Sequence, residues 1–355
     1  MSKDEFKKEE YEKAFKKSFD EKEKEFDELR NKELVISLIG SVNAGKSQTI
    51  NALTGIKYAD VKAKAGSTKE VNLYRLDENV FIADTPGLFD INLEVSKMAS
   101  DFVEESADVI LFFMNANVGI TVHDKQAFSQ LLKLQKEILV IVNKVDTLDP
   151  EEIVEVKDQI TEELGIMPYL ISAKKGTGIK ELHTDLVALL ELRGKDLLFL
   201  KASKFKRKAV KNWIAGATAS AVAIGALPIP GSDILPLTAL QVGLAMKIAF
   251  IYDIKPSKED VMKLAASTVT GNIGKQITRW GITALKGAGW IPGAQLLEVA
   301  ICAIAGSVAG AMTFSFGWAC NEYYSRGMNM DLDEVTETFS KFYKDYSARK
   351  ESIVT

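Results

Sequence analysis

The sequence predicts an α/β fold built on a mostly parallel sheet, flanked by an N-terminal amphipathic helix and a C-terminal all-α apolar domain. Three observations carry this expectation. Six short apolar runs alternate with helical stretches between residues 33 and 192, a glycine-rich loop follows the first run directly, and charge almost disappears beyond residue 211. The runs are residues 35–39, 71–76, 80–83, 109–114, 138–142 and 169–171. Strands that alternate with helices give a parallel sheet covered on both faces, with the ligand site at the carboxyl ends of the strands.

Taken in order, residues 1–32 are rich in Lys and Glu, yet Tyr11, Phe15, Phe19, Phe26 and Leu29 recur at spacings of three, four or seven, which marks one helical face. That face either docks on its own protein or serves a partner or a second copy. Residues 33–195 hold the alternating pattern. Residues 196–211 read as a basic linker with Lys201, Lys204, Lys206, Arg207, Lys208 and Lys211. Residues 212–355 read as helical, with apolar stretches at 213–229, 234–246 and 299–320 and a closing amphipathic helix at 331–349 that carries Phe339, Phe342 and Tyr343. Ile229-Pro230-Gly231 and Ile291-Pro292-Gly293 each precede a long apolar run, an echo that suggests a helical-hairpin repeat.

Composition bounds the function. A chain of 355 residues has room for two domains, and its net charge of −4 exerts no global pull on nucleic acid or anionic lipid. Cys302 and Cys320 lack the spacing of a metal site or disulfide framework, which fits a reducing compartment. The N-terminal run has no apolar core of signal-peptide length, so the expected placement is cytoplasmic, at the inner face of the cell membrane if the helical half associates there. His123 and His183 have no partner ligands in sequence and receive no metal or catalytic role.

The chemistry lies in the loops after the strands. Gly40-Ser41-Val42-Asn43-Ala44-Gly45-Lys46-Ser47 stands between a strand and a helix, where glycines let backbone N–H groups curl around a phosphate. Lys46 there meets β and γ oxygens, Ser47 ligates Mg²⁺, and Ala44 and Gln48 extend the contact. Asp84-Thr85-Pro86-Gly87 follows the third run, placing Asp84 on the Mg²⁺ and Gly87 on a γ-phosphate. Asn143-Lys144-Val145-Asp146 follows the fifth. Asp146 can accept from guanine N1–H and its exocyclic amine, donors that adenine does not pair in this way, so the nucleotide is expected to be GTP or GDP. The turn Ser172-Ala173-Lys174 offers backbone N–H groups to the guanine O6. Between the first two motifs, residues 65–70 form a switch stretch in which Thr68 is the expected Mg²⁺ contact and Ser67 its competitor.

These ordered motifs resemble the Era and TrmE branch of translation-factor-related P-loop GTPases over residues 34–190. The switch stretch departs from that branch's Gly-Thr-Thr-Arg-Asp at Ser67, Lys69 and Glu70. The resemblance implies that Asn43 helps hold a K⁺ ion beside the phosphates, so Lys46, Thr68, Gly87 and Asn43 form the expected catalytic set. Leu88 stands where Ras-like enzymes place a water-orienting glutamine, which predicts slow hydrolysis without K⁺, a homodimer or a regulatory protein.

The second half resembles an uncharacterised small-residue-rich helical domain that follows Era-like GTPase domains in bacteria. Pro228-Ile229-Pro230-Gly231-Ser232-Asp233 and Ile291-Pro292-Gly293 are the matching turns. The resemblance implies membrane association. The apolar stretches are about as long as the roughly twenty residues a bilayer crossing needs. Their Ala and Gly content, with Gly306 and Gly310 one turn apart, equally suits a close-packed core. Trp213, Trp290 and Trp318 near the stretch ends fit interfacial anchoring or packing, and the basic run fits anionic headgroups or a solvated linker.

The expected function is a GTP-hydrolysing switch that repositions the helical half at a membrane. An RNA- or ribosome-associated assembly GTPase and a dynamin-like self-assembling membrane GTPase are the alternatives. Nucleic acid is not the expected partner, because the C-terminal half has no Gly-x-x-Gly loop in a mixed α/β pattern.

Overall fold

The computed structural model describes residues 3–57, 71–85, 93–227, 234–269 and 294–354. The chain divides into two compact units: a sheet unit spanning Leu29–Phe205, and a helical unit formed by Met1–Glu28 together with Lys206–Thr355.

In the sheet unit, strands β1 (Leu34–Gly40), β2 (Asn72–Asp77), β3 (Val80–Asp84), β4 (Val109–Asn115), β5 (Glu137–Asn143) and β6 (Tyr169–Ile171) form one six-stranded sheet in the order β2-β3-β1-β4-β5-β6. Every pairing is parallel except the β2–β3 hairpin at the edge. All six runs read from the sequence are strands. The central ones are continuous apolar runs because helices cover both faces, and β4 is buried from Val109 to Met114. Packed against the sheet are α2 (Lys46–Thr54), α3 (Leu93–Ser106), α4 (Val122–Leu132), α5 (Pro150–Leu164), α6 (Ile179–Glu191) and α7 (Asp196–Ala202). One core layer joins Ile39, Phe112, Met114, Phe128, Val142 and Ile160. Local chemistry sets the helix starts: Thr121 and Asp124 form a capping box on α4, and Asp149 and Glu152 form another on α5, where Pro150 occupies the first turn.

The sheet unit ends later than the sequence suggests. Residues 196–205, expected as the start of a basic linker, belong to it because Leu197, Leu198, Phe199 and Leu200 are buried and Lys201 pairs with Asp77 at 3.6 Å. Lys195 likewise reaches Asp108 at 2.5 Å, and the other oxygen of Asp108 accepts from the Val35 N–H. Lys206 to Lys211 are not linker either; they open the helix that follows.

The helical unit contains α1 (Lys3–Arg30) up to Glu28, with α8 (Lys206–Gly225), α9 (Ile234–Ile251), α10 (Lys258–Val269), α11 (Ala294–Ser325) and α12 (Leu332–Val354). Helix α1 docks through the aromatic face seen in its sequence. Phe15, Phe19 and Phe26 are buried, the Phe26 ring lies 5.5 Å from Phe250, and Asp27 and Asp20 pair with Lys255 and Lys258. Helices α8 and α11 meet along a seam of small residues. A Cβ on Gly306 would lie 2.6 Å from the Val222 carbonyl, and one on Gly310 would lie 2.4 Å from Val222 Cγ2. The Gly306 and Gly310 spacing thus serves packing between helices of this chain. Among the described residues, no helix is long and apolar enough to cross a membrane. The two Pro-Gly turns and Trp290 lie outside the described residues.

Candidate functional site

The phosphate loop bridges β1 and α2, and its shape is set by residues with left-handed backbones. Gly40 has φ 138, Asn43 φ 64 and Gly45 φ 87. Side chains at the two glycines are excluded by space as well as by dihedral angle. A Cβ on Gly40 would stand 2.1 Å from the Phe113 carbonyl oxygen, and one on Gly45 would stand 2.0 Å from Asn143 Nδ2. Ala44 is buried, while Ser41, Asn43, Ser47 and Gln48 are exposed. The Lys46 ammonium curls back to donate to the carbonyls of Gly40 at 2.9 Å and Ser41 at 3.2 Å. Burial lowers its pKa, and the nearby Asp84 charge opposes that shift.

Asp84 ends β3 beside this loop. Burial raises its pKa against the pull of Lys46, and its Oδ1 is buried without a hydrogen-bond partner. A buried carboxylate oxygen left unpaired is costly. Close to Lys46, which precedes the exposed Ser47 hydroxyl, it is the kind of oxygen donor that Mg²⁺ takes. The residues present therefore fit the metal.

The loops expected to read the base follow β5 and β6, and one side chain joins them to the loop after β1. Asn143 is 1% exposed. Its Nδ2 donates to the Ala44 carbonyl at 3.0 Å, while its Oδ1 accepts from the N–H groups of Lys144 at 2.8 Å and Ala173 at 3.0 Å. Asn143, expected from sequence as a nucleotide contact, thus also ties the loop at Ala44 to the turn at Ala173. Lys144 has φ 72, which turns the chain so that Asp146 emerges exposed.

The Asp146 carboxyl is held below its usual value, first by the Ser172 hydroxyl and, more weakly, by Lys174 and Lys175. Ser172 is buried. Its Oγ also accepts from the Lys175 N–H at 3.0 Å, and a backbone bond from Ser172 N to Thr177 O closes the turn. This hydroxyl was not singled out in the sequence, where only the turn's backbone N–H groups were considered; its place after the neighbouring strand, far along the chain from the acid, is what conceals it. Thr147 similarly donates to Asn117 at 2.9 Å and braces the same loop.

The structure thus brings together Gly40, Asn43, Ala44, Gly45, Lys46, Ser47, Gln48, Asp84, Asn143, Lys144, Asp146, Ser172, Ala173 and Lys174 at the carboxyl ends of β1, β3, β5 and β6. Thr68 and Gly87, with Leu88, lie outside the described residues. His183 sits apart, buried, with its Nε2 2.7 Å from Ser203 Oγ.

This fold and loop set define a P-loop GTPase domain. Residues 35–144 match the family described as 50S ribosome-binding GTPase, and residues 200–347 match a domain of unknown function, DUF697. The chain is 31% identical over 192 residues to GTPase Der of Persephonella marina, covering 50% of this chain and 42% of that protein. It is 31% identical over 174 residues to GTPase Era of Aquifex aeolicus, covering 44% and 56%. It therefore spans about half the length of these relatives. A crystal structure of an Aquifex aeolicus Era variant bound to GDP·AlF4⁻ aligns at 27% identity with a TM-score of 0.35, covering 44% of this chain and 56% of that one. Era has also been solved with MgGDPNP and a stretch of 16S ribosomal RNA, at 27% identity, TM-score 0.34 and the same coverage. The expectation that nucleic acid is not a partner thus gains no support from the comparisons.

Proposed function

We propose that this protein binds GTP and hydrolyses it to GDP and phosphate, acting as a switch whose nucleotide state is passed to the helical unit. The observation that carries this reading is the Asn143 bracket, which ties the phosphate loop at Ala44 to the base-reading turn at Ala173. It holds the two halves of a nucleotide site in register. In this reading Lys46 places its charge on the β and γ oxygens, and Asp146, oriented by Ser172, accepts from the guanine edge. Ser47 and Asp84, with Thr68, hold Mg²⁺, which neutralises phosphate charge when bound. Gly87 senses the γ-phosphate. Asn43, exposed on its left-handed turn, is assigned to a monovalent cation.

Affinity for GTP against ATP, followed by fluorescent-nucleotide titration, tests the base assignment. Asp146→Asn should weaken GTP and gain xanthine nucleotide; an unchanged preference overturns it. Hydrolysis at equal rates in Na⁺ and K⁺ at every protein concentration would remove Asn43 and self-association from the scheme.

One observation favours a second reading, a ribosome-associated role: the description of the family matched by residues 35–144. Against it, the likeness to Era stops at about half of Era, and a different domain follows here. GTP-dependent co-sedimentation with ribosomal subunits decides between them. For the helical unit, exposed Arg207, Lys208 and Lys211 at the start of α8 favour peripheral attraction to anionic headgroups over insertion. Salt-reversible binding to anionic vesicles is the expected result.

A further inference from the structure

Helix α2 begins in the phosphate loop with Lys46 and Ser47, and its last turn meets the segment by which the chain leaves the sheet unit. The Leu53 carbonyl accepts from the Lys204 N–H at 3.3 Å, and the Ser203 hydroxyl donates to the same oxygen at 3.5 Å. Ser203 Oγ also accepts from the Phe205 N–H at 3.0 Å and lies 2.7 Å from His183 Nε2. The cluster is dry: Leu53 is 0% and Ser203 1% exposed, and the His183 ring packs against Phe199 and Phe205 with centroids 5.5 and 4.5 Å away. Phe205 is the last residue of the sheet unit, and Lys206 opens α8.

The carbonyls of a helix's last turn have no partner inside the helix and must find one outside it. At α2 the Leu53 carbonyl finds Lys204 and Ser203, so the end of α2 and the exit segment share their hydrogen bonds. Helical order is cooperative, and α2 is only nine residues long, about 13 Å at 1.5 Å per residue. Phosphate oxygens bound at its N-terminal end stabilise its first turn, and a helix this short passes that order to its last turn. We propose that Leu53, His183 and Ser203 form a latch through which nucleotide occupancy at one end of α2 sets how firmly residues 203–205, and hence the chain's entry into α8, are held at the other. The inference rests on the nucleotide reading above and adds the route by which that state leaves the sheet unit.

Hydrogen–deuterium exchange on the full chain, with and without Mg²⁺ and a non-hydrolysable GTP analogue, reads the latch directly. Amides of residues 203–205 should exchange roughly tenfold more slowly when loaded, the sign of added local stability. Ser203→Ala should bind nucleotide as the wild type does yet lose this dependence. Ser203→Thr, which keeps the hydroxyl on an extended backbone (φ −84, ψ 143), should retain it. The latch is overturned if the loaded wild type shows no change at 203–205, or if Ser203→Ala keeps the change. The wild-type comparison decides alone should Ser203→Ala not fold. A wild type that binds no nucleotide in the titration overturns the GTP-binding reading itself, and the latch with it.

Discussion

Asn143 Nδ2 donates to the Ala44 carbonyl across 99 positions of sequence, and its Oδ1 accepts two backbone N–H groups. Asn143→Ala leaves buried donors and an acceptor unpaired, at about 2–3 kcal/mol. Urea unfolding should report that loss of stability. Nucleotide affinity should fall too, because the tie between Ala44 and Ala173 is lost.

The space beside that bond is already filled. Gly45→Ala would force a left-handed Cβ into Asn143 Nδ2, so the variant should fold with a distorted phosphate loop and bind neither GTP nor GDP in calorimetry. An affinity equal to the wild type would show that the loop can open at no cost.

Asp84 supports a prediction about pH. Burial raises its carboxyl pKa in the folded chain, so the folded state prefers it protonated. Ionised Asp84 therefore costs the nucleotide-free protein stability. That cost is absent below the ordinary carboxylate value near 4, grows as pH rises toward the raised value, and is complete above it. Asp84→Asn should thus melt higher than the wild type at neutral pH without nucleotide, and the gap should close on acidification. The same variant should lose the Mg²⁺ dependence of nucleotide binding.

Ser172→Ala removes the hydroxyl that orients Asp146 and caps the Lys175 N–H. GTP affinity should drop about tenfold, the effect of one lost hydrogen bond, with discrimination against ATP reduced. Titrations of both nucleotides against both proteins measure it.

In the helical unit, Gly310→Leu overpacks the seam against Val222 and should cost about 1–3 kcal/mol. Because Gly310 and Val222 both lie in the helical unit, circular dichroism should show a lower melting transition while GTP titration is unchanged. Loss of nucleotide binding would mean that damage at this seam reaches the nucleotide site.

The sheet unit was legible because its signals are local. Apolar runs such as residues 109–114 stand out in one dimension, and Gly40 to Ser47 carries its own conformational demand. What escaped the sequence depends on pairing between distant segments. Asn143 was read only as a ligand contact, since nothing local reveals that its amide also joins Ala44 to Ala173. Leu197 to Leu200 were absorbed into a basic linker because Lys201 and Lys204 dominate the window, whereas the leucines beneath them fill the core. The apolar stretches of the second half were ambiguous for a related reason. Glycines at helical spacing describe a close approach without naming the partner, which here is α8 for Gly306 and Gly310.

The helical unit is assembled from both ends of the chain, with the sheet unit inserted between them. During synthesis, α1 leaves the ribosome before the sheet unit, and Phe26 cannot meet Phe250 until the 224 positions that separate them have been made. At about 5–20 residues per second the sheet unit can close first, and Phe15, Phe19 and Phe26 spend that interval uncovered. The dense Lys and Glu content of α1 then has a second use: it keeps a waiting helix soluble until its binding face arrives.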